Sequence, residues 1–237
     1  MAYKTLIAVL TFNEGEKLAR LLKSFKLEPH QSLLIVDDGS DDSTIDLLKN
    51  SGQPFLRHEQ NLGVGAGIKT AVGYARENNF EVIVIMAGNG KMDPVEINRL
   101  TDPINNDRAD YVQGSRYLAG GQSDNLPTFR NFAIKLFTAI VNLFLGFKGT
   151  DITCGFRAYK LSVLYHPEIN IDQDWLGRYE MEYYIHYKTI KAGFRVVEVP
   201  VSMNYPKEKK NYSKIKPFVG WWSMIRPWVF LILKIKK

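Results

Sequence analysis

Three short apolar runs, each closed by a polar cluster, limit most strongly what this chain can fold into. Residues 6–10, 33–36 and 82–86 are continuously apolar rather than alternating, the pattern of strands buried on both faces of a sheet. Between them, residues 16–25, Thr44–Asn50 and 65–78 carry helical spacing, with Ile68, Ala71, Val72 and Ala75 at i, i+3, i+4 and i+7. Such alternation predicts a mostly parallel sheet, and parallel sheets bind ligands beyond the carboxyl ends of their strands. The clusters TFNE (11–14), DDGSDDS (37–43) and GNGKMD (88–93) each follow a strand directly. All three are expected to meet in one cleft.

The second half is less regular. Tyr111–Ser115 and 196–201 read as strands, 178–192 as a helix, and 129–145 as a helix that is apolar apart from Lys135, Thr138 and Asn142, which form one narrow stripe. No internal repeat is visible, so 237 residues are read as one α/β domain over 1–206 and a tail over 207–237. Cys154 is the sole cysteine, which excludes an intrachain disulfide and a cysteine zinc cage. None of the four histidines has metal-ligand spacing, and all four are read as structural or surface residues. The N-terminal apolar run is short and followed by acidic residues, unlike a signal peptide. A cytoplasmic protein, or one held to a membrane from the cytoplasmic side, is expected.

The tail, KEKKNYSKIKPFVGWWSMIRPWVFLILKIKK, turns basic and then aromatic. Its longest apolar stretch, 227–233, falls far short of the ~20 residues a spanning helix needs. Trp221, Trp222 and Trp228 with lysines on both sides fit an amphipathic segment lying on a bilayer. The alternative is a helix docked on the chain's own core. The net charge of +6 calls for an anionic partner, and lysines flanking an apolar block favour a membrane surface over nucleic acid. The 129–145 helix is expected to dock beside the tail or against a membrane-protein partner.

Within DDGSDDST (37–44), Ser40 or Asp41 suits a helix N-cap, whereas Asp37 and Asp38 abut the strand end where a base and ribose would lie. Both a turn role and a ligand role stay open for that pair. NLGVGAG (61–67) precedes a helix but is neither the dinucleotide fingerprint nor a P-loop. Either close backbone approach or a phosphate at the helix N-terminus would require Gly65.

TFNE, VDDGSDDST, NLGVGAG, GNGKMDP, GSRY (114–117), DITCGFRAYK (151–160) and EVPV (198–201) occur in the order found in family 2 glycosyltransferases. The chain resembles in particular the subgroup of dolichyl-phosphate mannosyltransferase and bacterial polyprenyl-phosphate glycosyltransferases. The resemblance implies a GT-A (Rossmann-like) fold, a nucleotide-diphosphate-sugar donor and inversion at the anomeric carbon. It places Phe12 and Glu14 against the nucleotide, and Asp38 with Asp37 at the base or ribose.

One departure matters. Where the family reads Asp-X-Asp-Gly-Gln-X-Asp-Pro, its first two carboxylates binding a divalent ion on the donor diphosphate, this chain reads Ala87-Gly88-Asn89-Gly90-Lys91-Met92-Asp93-Pro94. Asn89 retains a neutral oxygen and Asp93 suits an N-cap, so a Mg²⁺ or Mn²⁺ site is weakened or absent. Either Lys91 supplies positive charge to the leaving diphosphate, or the protein binds donor without turnover. Arg116, Arg157 and Arg130 are candidates for gripping donor or acceptor phosphate, with surface ion pairs as the alternative. Glu180 and Glu182, two apart on a helix, cannot share a face; Glu180 or Asp151 would serve as base for a hydroxyl acceptor.

The leading expectation is an inverting transferase acting at the cytoplasmic membrane face, peripherally attached, on a polyprenyl phosphate. Its alternatives are transfer to a hydroxyl of a lipid-linked or surface glycan, and a non-catalytic nucleotide-sugar-binding scaffold.

Overall fold

The computed structural model describes residues 2–206 and 219–236. Seven strands form one sheet in the order β3-β2-β1-β4-β6-β5-β7. The strands are β1 (Thr5–Thr11), β2 (Gln31–Asp37), β3 (Phe55–Arg57), β4 (Val82–Ala87), β5 (Tyr111–Ser115), β6 (Arg157–Lys160) and β7 (Val196–Pro200). β3, β2, β1 and β4 run parallel, β6 lies antiparallel to both β4 and β5, and β5 pairs parallel with β7.

The apolar runs are continuous because both faces of the sheet are covered. In β1, Leu6 and Ala8 pack on one side with Ile68, Ala71, Val72 and Ala75 of α3 (Val64–Glu77) and Met181 and Tyr184 of α7 (Glu180–Lys191). Ile7 and Val9 pack on the other with Leu18 and Leu21 of α1 (Gly15–Ser24), Leu48 of α2 (Thr44–Asn50) and Leu100 and Ile104 of α4 (Ile97–Asn105). Each such side chain, fully buried, contributes on the order of 1.5–3 kcal/mol before chain entropy is charged against it.

Register places the cleft. Thr11 pairs with Asp37 and Leu10 with Ala87, so β1, β2 and β4 end level. Two hydrogen bonds carry this beyond the strands, Asp38 N to the Thr11 carbonyl (2.9 Å) and Gly88 N to the Leu10 carbonyl (2.8 Å).

Two helices form a separate layer over α7. α5 (Thr128–Leu145) and α8 (Val219–Ile232) meet it in a cluster containing Val141, Leu145, Ile152, Tyr183 and Trp228, with Phe137 against Trp228. The described part of the tail therefore packs on the chain's own core, through Trp228 and an ion pair between Arg226 and the buried Glu180. Its other side exposes Trp222 and Ile225. The basic stretch 207–218 lies outside the described residues, as does the side chain of Trp221.

Of the polar stripe of α5, Thr138 and Asn142 face the protein and Lys135 is exposed. Thr138 is buried, Asn142 bonds both N and O of Gly149, and Lys135 rests on the Tyr117 ring. Phe129, Phe132, Leu136, Ile140, Leu143 and Phe144 face outward, with Phe129 76% and Leu143 81% exposed. Ile134, Val141 and Leu145 are buried on the inner side, so α5 is apolar on both sides, unlike the usual surface helix.

Gly65 and Gly73 of α3 separate the effects of space and propensity. A Cβ on Gly65 would overlap the Leu176 carbonyl oxygen, while one on Gly73 would meet nothing within 4 Å. Gly65→Ala should lower unfolding stability by roughly 1–3 kcal/mol, and Gly73→Ala should raise it by up to ~1 kcal/mol. Denaturant midpoints of the two variants check this, and equal shifts would count against the close approach at Gly65.

Candidate active site

The loops after β1 and β2 are knit together by their own polar atoms. Asn13, at φ 51°, exchanges two bonds with Asp41, its Nδ2 donating to Oδ1 (2.7 Å) and its Oδ1 accepting from Asp41 N (2.9 Å). Asn13 N donates to Ser40 Oγ, and Glu14 N and Gly15 N donate to Thr44 Oγ1. Asp37 is fully buried, held by Ser40 and by Arg57 Nε at 3.1 Å. Asp38 accepts from Leu62 N (2.9 Å) and Gly63 N (2.8 Å), and shares a 2.8 Å bond with His58, whose other ring nitrogen bonds Thr70. In this structure both carboxylates brace the pocket wall, and Asp38 fixes the glycine loop that leads into α3. His58 was not visible as a partner in the sequence because it lies on the far side of β3.

Gly65 is positioned by backbone packing. Ala66 N donates to the Gly177 carbonyl (3.1 Å), and the Gly63–Gly65 turn presses on Leu176, Gly177 and Arg178. Phe12 is half-buried, and Glu14 is buried and paired with Lys17 at 2.7 Å.

Opposite these loops, three cations gather around one tyrosine. Arg116 Nη1 donates to Tyr205 Oη (2.6 Å), Lys91 Nζ stands 5.2 Å from the centroid of that ring and the Arg130 guanidinium carbon 5.7 Å. Burial, and next the charge of Arg130, hold the Lys91 ammonium down at about 8, with Glu14 pulling the other way. Arg116 is itself a brace. It grips the buried Asp151 through Nε (2.6 Å) and Nη2 (2.7 Å), and Nη2 also reaches Thr153. Glu198 closes the network on Thr150 N and Asp151 N. Tyr205 carries no motif signal, and only the fold brings it here.

Two expected site residues do not reach the cleft. Arg157 is 1% exposed, its guanidinium donating to the carbonyls of Cys154, Ile152 and Glu182, so it stabilises the 152–157 turn rather than gripping a phosphate. Glu180 faces Arg226 and accepts from Arg178 N, because α8 covers that side of α7. Its neighbour Glu182 lies against Gly155 and within 3.8 Å of Arg157. Burial lifts the Glu182 carboxyl above its ordinary value, against the pull of Arg157.

The turn after β4 does not fit a divalent ion. Asn89 Oδ1 accepts from Lys91 N, Asp93 caps the short 3-10 turn Pro94–Glu96 by accepting from Val95 N, and the Lys91 ammonium stands in the same turn. Hard cations select clustered anionic oxygens, and among the described residues no three His, Cys, Asp or Glu side chains are grouped to hold one.

Comparison with known proteins agrees with this architecture. The chain is 31% identical over 206 residues to polyprenol monophosphomannose synthase of Mycolicibacterium smegmatis, covering 84% of this chain and 77% of that protein. It is 29% identical to undecaprenyl-phosphate mannosyltransferase of Micrococcus luteus, covering 84% and 83%. Among solved structures, glucosyl-3-phosphoglycerate synthase from Mycobacterium tuberculosis, in complex with Mn²⁺, UDP and glucosyl-3-phosphoglycerate, superposes with a TM-score of 0.69 at 15% identity, over 99% of this chain and 81% of that one. That likeness is one of fold, the GT-A fold. The glycosyl transferase family 2 profile matches residues 6–166; the chain belongs to that family of enzymes.

Proposed function

We propose that this glycosyltransferase moves a sugar, with inversion, from a nucleotide-diphosphate donor to the phosphate of a polyprenyl phosphate at the cytoplasmic membrane face. The observation that carries the reading is the course of α5. Arg130, in its first turn, belongs to the cationic cluster, and the outward apolar face runs from there to Phe144. A lipid phosphate needs both features in that order, a cation for its head and an apolar surface for its chain. The named acceptors of the two relatives point the same way.

Nucleotide would lie over the β1 and β2 loops, against Phe12 and Glu14, with its diphosphate directed toward Lys91. A phosphate oxygen of the acceptor attacks the anomeric carbon in line. As that C–O bond forms, the bond to the donor diphosphate breaks and its electron pair leaves on the diphosphate oxygen. The attacking phosphate is already anionic, so no base is needed. Arg116 and Asp151 act in this reading by holding Tyr205 and the 150–153 loop. Glu182 supports a second reading: a half-buried carboxylate beside Gly155 would take the proton of a hydroxyl acceptor.

Labelled donor sugar supplied with membranes and polyprenyl phosphate tests the proposal. A lipid product that releases sugar in mild acid is expected; an acid-stable product supports the hydroxyl acceptor, and no product with any donor supports a binding scaffold.

Asp38→Ala should weaken nucleotide binding at least about tenfold, because three bonds to the glycine loop and His58 are lost together. Asp42→Ala, at an exposed loop position, should stay within about twofold. Calorimetric titration of both variants checks the difference, and equal losses would remove Asp38 from the pocket. Leu136→Glu combined with Leu143→Glu should cut vesicle binding roughly tenfold or more, since each change withdraws a large apolar side chain from the bilayer. Transfer to a short, soluble isoprenoid phosphate should persist in this double variant. Vesicle co-sedimentation at the wild-type level would move the membrane contact away from α5.

A further inference from the structure

The segment 173–178, just before α7, belongs to no helix or strand, so its place is set by what its polar atoms meet. Three of its carbonyls are shared between α3 and α8. Gln173 O accepts from Lys69 Nζ of α3 (2.9 Å) and Gly177 O from Ala66 N of α3 (3.1 Å). Trp175 O, between them in sequence, accepts from Arg226 Nη2 of α8 (3.2 Å). α8 adds apolar contacts: the Phe230 and Trp175 rings meet edge to face with centroids 5.7 Å apart, and Leu231 shares a buried cluster with Leu176. Arg226 also pairs with Glu180, whose other carboxylate oxygen accepts from Arg178 N (3.1 Å). Toward α3 the segment presses on the glycine turn. A Cβ on Gly63 would fall 2.7 Å from Gly177 O, and one on Gly65 would fall 2.1 Å from Leu176 O. The same turn donates Leu62 N and Gly63 N to Asp38.

Resting on the nucleotide site proposed above, we infer that Arg226 is a positioning residue for the donor. By holding 173–178 against α3 from outside the cleft, α8 sets how tightly nucleotide binds. A loose glycine turn has to be ordered when nucleotide arrives, and that ordering is subtracted from the binding free energy. A turn already fixed by Asp38 on one side and by Gly177 on the other avoids this cost. The coupling runs both ways: whatever the docked α8 contributes to nucleotide binding, bound nucleotide returns to the docking of α8.

Calorimetry with UDP, GDP and dTDP in buffer containing Mg²⁺ identifies the nucleotide that the wild type binds, and that nucleotide is the probe. Arg226→Met alone would strand the buried Glu180 carboxylate, so it is combined with Glu180→Gln. This double variant should bind the probe roughly fivefold or more weakly. Phe230→Ala, which keeps the ion pair, should weaken binding about threefold. Arg226→Lys should stay within about twofold of the wild type, because one nitrogen, Nη2, makes both contacts. Amide hydrogen exchange separates positioning from general destabilisation. In the double variant, exchange should quicken across 62–66 while β2 keeps its wild-type rate, and in the wild type saturating probe should slow exchange across α8. Wild-type affinity in the double variant overturns the inference with the donor intact, and so does α8 exchange that the probe leaves unchanged. Should the double variant not fold, Phe230→Ala takes its place in that comparison. Failure of every nucleotide to bind the wild type would overturn the donor assignment and this inference together.

Discussion

The Arg116–Asp151 pair is the interaction on which the arrangement of the site depends. Both groups are almost wholly removed from water, and an ion pair in that position repays its desolvation only when the remaining donors and acceptors are also satisfied. Here they are. Asp151 receives Arg116 Nε, Nη2 and N and the Thr153 hydroxyl, and Arg116 uses its remaining arm on Tyr205. Gln113 and Glu198 fix the backbone of Asp151 from β5 and β7. Tyr205 is thereby held at one point, and Lys91 and Arg130 take their places around it.

α5, apolar on both sides, starts beside this same arrangement. The apolar side chains on its outer side add nothing to its docking in water, which rests on the inner side alone. What holds α5 is specific: Asn142 on Gly149, Tyr117 on Asn131, and the apolar contacts of Val141, Leu145 and Phe137 with α7 and Trp228. A contiguous exposed apolar face on a folded protein marks a surface meant for contact. Its position beside Arg130 joins that surface to the cationic end of the cleft.

Much of the fold could be read from the sequence, because β1, β2 and β4 are buried on both faces and α3 has a regular stripe. Their ends agree with the sequence to within a residue or two. β3 escaped because it is three residues long with exposed Phe55 and Arg57, and β6 because it opens on Arg157, an unusual residue for a sheet interior. Arg157 is tolerated there only because three carbonyls receive it. The site was legible as a set of loops, and much less so as a set of roles. Asp37 and Asp38 were placed at the strand end by spacing, but their commitments to Arg57, His58 and the glycine loop arise from tertiary structure. Tyr205 lies 89 residues from Arg116, and a lone tyrosine carries no periodic signal. Spacing separated Glu180 from Glu182; which one turns toward the 151–157 loop is decided by α8, whose Arg226 claims Glu180.

α7 connects these parts. Its first-turn Glu180 pairs with α8, and Arg226 of α8 also donates to the Trp175 carbonyl, two residues before Gly177. Gly177 in turn accepts from Ala66 at the start of α3, beside the loop that Asp38 holds. Two residues further along α7, Glu182 lies against Gly155 and its carbonyl receives Arg157, which shapes the other wall. The apolar helices α5 and α8 pack on this same element. The exposed apolar surface and the two walls of the cleft are therefore fixed to one helix, whose first turn carries carboxylates to both sides. Burying Glu180 with Arg226 as its partner is costly in solvation and leaves that carboxylate no freedom for chemistry. What it provides is registration: α8 and the loop that borders the cleft are held at a set distance.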